Sequence, residues 1–239
     1  MYSSIPNRQG RNVLSIIVSI FLLLAGGSIL MFVACGGEET IADVTVYEAQ
    51  IKPLNENVTG YQPRGSARLE ILGDSLTIIV NVSNLPPGMM HLQHYHGFVD
   101  GSEAGCPTMK QDANQDSIID LIETQTVAGI TLVPFHHDPL SLEIAAEIYP
   151  SADSLGYLSY QATISMDSLE NRMAGKYGIT PLVFENRVVF MHGVDSATAL
   201  PETVQSLEGV PAHLTLPIAC GKFELRVFDE DVASEGIYQ

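Results

Sequence analysis

The chain has 239 residues, room for one large domain or two small ones. Its 28 acidic against 11 basic side chains give a net charge of −17, which argues against nucleic acid as a partner and against electrostatic docking on anionic lipid. A charged fraction of only 16%, with 20 Gly, 13 Pro and abundant Thr, Ser, Val and Ile, points to an ordered β-rich domain rather than a disordered chain.

The N-terminus reads as an address. Arg8 and Arg11 form a basic start, an apolar run follows from Val13 to Ala34, and small residues surround Cys35-Gly36-Gly37. This is the pattern of a secretory signal over residues 1–34, and it resembles a bacterial lipobox, which makes Cys35 the lipidated first residue of the mature protein. The length of the apolar run leaves an uncleaved membrane anchor as the alternative. Either way the remainder is expected outside the cytoplasm and attached to the membrane. With Cys35 assigned to lipid, Cys106 and Cys220 are left as one disulfide pair.

Residues 35–42 form an acidic tether, residues 43–228 a β-domain and residues 229–239 a C-terminal tail. Strands are expected at Asp43–Ile51, Ala67–Leu72 and Ser75–Ser83. In the last of these Leu76, Ile78, Val80 and Val82 share one face. Gly73-Asp74 turns the chain between the second and third, and Pro86-Pro87-Gly88 delivers a histidine-rich segment. Later strands are expected at Leu158–Met166, Arg187–His192 and His213–Phe228, the last interrupted around Pro217 and Gly221. Leu142–Tyr149 and Met166–Ala174 suit short helices. The fold class is therefore all-β, a Greek-key barrel or sandwich with long loops that carry function.

Three of the seven histidines fall within six positions, His91-Leu-Gln-His94-Tyr-His96. On an extended strand successive side chains alternate faces, so His94 and His96 point the same way, and two neutral imidazoles side by side begin a transition-metal site. A second constellation lies at residues 106–124, between Cys106 and the later histidines. Asp112, Asn114, Asp116, Asp120 and Glu123 stand at positions 1, 3, 5, 9 and 12 of a loop, with the Ile118 carbonyl at position 7. That is the ligand order of an EF-hand-type calcium loop, since a hard cation takes six to eight oxygens in one wrap of chain. Ser117 stands where such loops have Gly. His213 is read as structural or solvated.

Leu85-Pro-Pro-Gly88 leading into His91–His96, Gly105-Cys106, Val188-Val189-Phe-Met-His192 and Ile218-Ala219-Cys220-Gly221 together resemble the copper/zinc superoxide dismutase family over about Val44 to Phe228. Phe135-His136-His137-Asp138-Pro139-Leu140 is loosely similar to that family's His-Phe-Asn-Pro-Leu stretch. The resemblance implies copper ligands at His94, His96, His192 and His136, with His137 the alternative to His136. It implies a supporting hydrogen-bonding role for His91 and a Cys106–Cys220 disulfide. It implies superoxide as substrate.

Two departures bear on activity. No Asp and pair of His are spaced to complete a zinc site, so zinc is not carried over. Pro217 stands at the position of the family's active-site arginine, which attracts and orients the anion, and an acidic surface repels the same anion. A copper store is one alternative function. Another is a non-catalytic binding or structural lipoprotein, the chordin-type β-domain with its similar His-x-His-Gly strand among the possibilities. The Cys106–Cys220 pair and the separate His192 strand weigh against the chordin type. Oligomeric state is not legible.

Overall fold

A period-two alternation of apolar and polar residues builds the sheet. In the segment Ser75–Ser83, Leu76, Ile78, Val80 and Val82 are at most 1% exposed, while the residues between them are half-buried. The computed structural model describes residues 44–227; the signal segment, Cys35, the tether and the C-terminal tail read from the sequence lie outside the described residues. Eight strands follow in order: β1 (Thr45–Pro53), β2 (Arg64–Leu72), β3 (Ser75–Ser83), β4 (Leu92–Gly97), β5 (Ile130–Pro134), β6 (Leu158–Ser165), β7 (Val188–His192) and β8 (Pro217–Arg226).

They form one sheet in the order β5-β4-β7-β8-β1-β2-β3-β6. Every neighbouring pair is antiparallel. The sheet curls into a half-barrel, so the chain is all-β. The crossings from β3 to β4 and from β6 to β7 join strands that are not neighbours, and these connections send Leu85, Leu169, Met173, Ile179 and Phe184 into the main core.

Two apolar clusters mark the two faces. The larger fills the inside of the curl with Leu69, Leu76, Ile78, Tyr95, Met191 and Phe223 among its members. The smaller lies on the other face of β7 and β8, where Val188, Phe190 and Cys220 pack with Ala104 from the loop after β4 and with Ala128 at the end of the helix Leu121–Ala128. The edge strands β5 and β6 are bridged by the helix Met166–Tyr177, which buries Leu169 and Met173. Ser165 caps its first turn by accepting from the Ser168 N–H. At its far end Tyr177 donates to the Thr131 carbonyl of β5.

Several elements differ from the sequence expectation. β8 is not interrupted. Pro217 opens it, where the missing N–H costs no ladder bond. Gly221 stays in the strand because β1 crosses so closely that a Cβ there would lie 2.8 Å from the Gln50 carbonyl oxygen. Before it, Ala212–Thr215 is a single helical turn rather than strand. Leu142–Tyr149 does not form an α-helix; the chain makes two 3₁₀ turns, Pro139–Ser141 and Ala146–Ile148. β5 has no counterpart in the expectation: its five residues end in Pro, and the signal is too short to stand out.

Candidate metal centre

β4 is buried along its whole length, covered by the core on one face and by loops on the other. It pairs with β7 so that Leu92 opposes His192, His94 opposes Phe190 and His96 opposes Val188. Opposed residues share a face. His94, His96 and His192 therefore project together from the outer face of the curl, the side of Phe190 and Val188. Tyr95, Val189 and Met191 point into the main core. Ring centroids stand 5.6 Å apart for His94 and His96, 5.3 Å for His94 and His192, and 6.0 Å for His96 and His192. One ring nitrogen from each lies within 4.8 Å of the others, so the cluster can hold a metal ion. Register shifts at Tyr95/His96 and at Met191/His192 sit beside these histidines, as bulges do where a side chain is re-aimed.

The hydrogen bonds around the rings leave lone pairs free at the centre. His192 Nδ1–H donates to the Thr215 carbonyl at 2.8 Å, which leaves Nε2 as the bare nitrogen. His96 Nε2 lies 3.1 Å from the Thr131 hydroxyl, and its Nδ1 has no partner. Both nitrogens of His94 lack a partner. A buried polar atom without a hydrogen bond costs about 1–3 kcal/mol, and each of the three rings has such a nitrogen; a cation taking one nitrogen from each would satisfy three of the four. The three side chains are only 2–4% exposed. Burial drives His94 and His96 well below the ordinary histidine range, and the neighbouring imidazoles push His94 further down. Burial brings His192 to about 4. Neutral imidazole, the form that binds metal, is thus the resting state.

His136 is placed differently. It is fully buried, but Nε2–H donates to the Glu143 carbonyl at 2.8 Å and Nδ1 accepts from the Asp138 N–H at 3.1 Å. Both nitrogens are committed to the turn that follows it, and His136 is not one of the three that converge. His137, its alternative, is exposed. The Tyr149 ring packs 4.7 Å from the His136 ring and 5.3 Å from the His94 ring, with its hydroxyl buried and unpartnered. His91 lies between two carbonyls, His192 O at 3.1 Å and Pro86 O at 2.9 Å, and so ties the Pro86–Gly88 turn to the end of β7. Pro217 opposes His192 in the β7–β8 ladder. Arg187 is buried, but the alternation along β7 puts it on the face opposite the histidines, where it covers Gly97.

No protein-family model matches this chain, and no curated protein matches it in sequence.

Cys106 and Cys220 form a disulfide, with Cα atoms 5.8 Å apart. It fastens the loop after β4 to β8, next to Phe190, which opposes Cys220 in the ladder. The acidic loop that follows is held by its own backbone. Asp112 accepts from the Asp116 and Ser117 N–H groups, Asp116 from Ile118, and Glu123 from Ala113 and Asp120. Ser117 adopts φ +66°, the left-handed conformation for which Gly is the usual residue. Asp120 and Glu123 form a capping box at the start of the helix Leu121–Ala128. Among the described residues the loop's carboxylates do not converge as a second group of three metal-ligating side chains; the histidine cluster is the one such group.

Asn55 is the residue that sequence reasoning missed. Its side chain accepts from Ile119 N–H and donates to both the Ile119 and Pro217 carbonyls, which clamps the acidic loop to the start of β8. It sits at φ +54°, a region where Asn is tolerated better than most residues, and that is the only local signal it offers.

Proposed function

We propose that this chain is an extracytoplasmic, lipid-anchored copper-binding protein of superoxide dismutase-like type, holding copper on His94, His96 and His192. The observation that carries this reading is the convergence of three buried histidines, each with a ring nitrogen that has no partner. Neutral imidazoles suit copper, which heads the divalent affinity series, and the two cysteines near the site are tied up as a disulfide and offer no thiolate. The attachment rests on the Cys35 pattern, and labelling of the full chain with a fatty acid, lost on Cys35→Ala, tests it.

Bound copper supplies one-electron chemistry, which can oxidise and reduce superoxide in turn. The chain's own part is to keep the imidazoles neutral by burial, to fix the His192 ring through Thr215, and to wall the rings with Phe190, 4.9 Å from His96 and 5.7 Å from His192. No guanidinium stands at Pro217 to draw the anion in. Dismutation is therefore expected to be slow. The near-closure of the cluster favours a second reading as a copper store, which binds one ion and turns over negligibly.

Copper titration of the full chain in detergent, with a superoxide assay on the loaded protein, separates the readings. One tightly bound ion with turnover above free protein supports the dismutase, and one ion without turnover supports the store. Calcium at Asp112–Glu123 stays an expectation from ligand order; a calcium-dependent rise in melting temperature, absent in Asp112→Ala, tests it.

A further inference from the structure

Resting on the reading of His94, His96 and His192 as a metal site, we propose that Asp120 is a positioning residue for that site, acting through the chain at 203–215 on His192. The ring of His192 is oriented by one hydrogen bond, from its Nδ1–H to the carbonyl of Thr215. Thr215 closes a helical turn of four residues, far too short to hold its own place. The turn is tied on one side to the chain after β7, where the Val194 and Gly193 N–H groups donate to the His213 and Leu216 carbonyls, and on the other by the Thr215 hydroxyl, 2.7 Å from that of Ser206.

Ser206 in turn lies on a connection with little regular structure. Val204 is buried in the main core, the Gln205 N–H donates to Asp120 Oδ2 at 2.8 Å, and the Thr203 carbonyl accepts from the Asn114 side chain at 3.2 Å. Asp120 is itself buried and engaged through both oxygens. It is 1% exposed, and its other oxygen accepts from the Ile122 and Glu123 N–H groups at the helix start. A cap needs only that one oxygen; the second reaches a residue 85 positions away in sequence.

The opposite flank of Thr215 is secured from the same loop. Asn55 joins Ile119, the neighbour of Asp120, to the carbonyl of Pro217, the residue that opposes His192. Both sides of the short Thr215–Pro217 stretch are thus referred back to the Ile119–Asp120 corner, and the His192 ring follows that stretch. An outer contact of this kind fixes which nitrogen a ligand presents and where it points.

Two substitutions isolate the connection. The D120N amide has one acceptor oxygen, so it can serve the two cap donors or Gln205 but not both, and two donors outweigh one. Thr215→Val deletes the hydroxyl that meets Ser206, and Thr215→Ser keeps it. In the metal-free full chain, the His192 Nδ1–H signal followed by NMR is expected to exchange about tenfold faster in D120N and in T215V, and as in wild type in T215S. Copper affinity by chelator competition is expected to fall about 10–100-fold in D120N and T215V, with altered Cu(II) electron paramagnetic resonance parameters, and to return in T215S. An unchanged His192 signal in folded D120N and T215V overturns the proposal. Should D120N fail to fold, Gln205→Pro, which deletes the N–H that Asp120 accepts and leaves the cap intact, takes its place, and an unchanged His192 signal in folded Gln205→Pro overturns the proposal. Failure of the wild type to bind copper would overturn the metal reading instead, while the His192 proton still judges the positioning role.

Discussion

His94 and His192 meet across neighbouring strands with ring centroids 5.3 Å apart, although the ladder pairs His192 with Leu92. The contact is a diagonal one, within reach of long side chains on one face of a sheet. It makes His94 the middle member of the cluster, close to both other rings and free at both nitrogens. His94→Ala and His192→Ala are expected to abolish tight copper binding. His137→Ala, on an exposed side chain, is expected to leave it unchanged. His136→Ala is expected to lower affinity less than tenfold, because both its nitrogens already have partners. Isothermal titration of the four variants checks the ranking.

Acid should destabilise the metal-free protein through these same rings. Folding lowers the His192 pKa from 6.5 to about 4, and His94 and His96 also fall well below the usual value. Between those limits the unfolded chain binds more protons than the native one, so native stability is fully present above about pH 6.5 and is lost as pH falls toward 4. His192 alone accounts for roughly 3 kcal/mol over that window. Chemical denaturation at pH 7 and pH 4.5 should show the loss, and His192→Gln should reduce it.

Much of this was legible in the chain, and for stated reasons. Strands such as Ser75–Ser83 have one buried and one half-buried face, so the period-two pattern is written in Leu76 to Val82. The convergence of His94 with His96 follows from strand alternation alone. The approach of His192 does not, since it depends on which strand lies beside β4 and in what register. The commitment of His136 was hidden as well, because its partners are the backbone groups of Asp138 and Glu143, which any residue provides. Asn55 is the same case from the other side: its role is set by carbonyls and an N–H far away in sequence.

The disulfide closes a loop across a sequence separation of 114 residues, and it also holds the loop that covers the histidine face. Its removal by Cys106→Ser with Cys220→Ser is expected to cost about 2–5 kcal/mol in denaturant unfolding and to weaken copper binding. Full stability in the double variant would contradict this.

Removing the Asn55 clamp leaves buried backbone groups of Ile119 and Pro217 without partners. Asn55→Ala is expected to lower stability by about 2–4 kcal/mol, and Asn55→Gly, which tolerates the φ of +54°, by somewhat less. Equal melting temperatures for Asn55→Ala and wild type would show that water replaces the amide.

The most direct test of the histidine centre is copper stoichiometry and affinity measured on the full chain at pH 7, beside the His94→Ala/His96→Ala variant. One copper per chain, bound at submicromolar Kd and lost in the variant, is the result expected for a centre built on β4 and β7. No copper on the wild type, or equal binding by the variant, would contradict it.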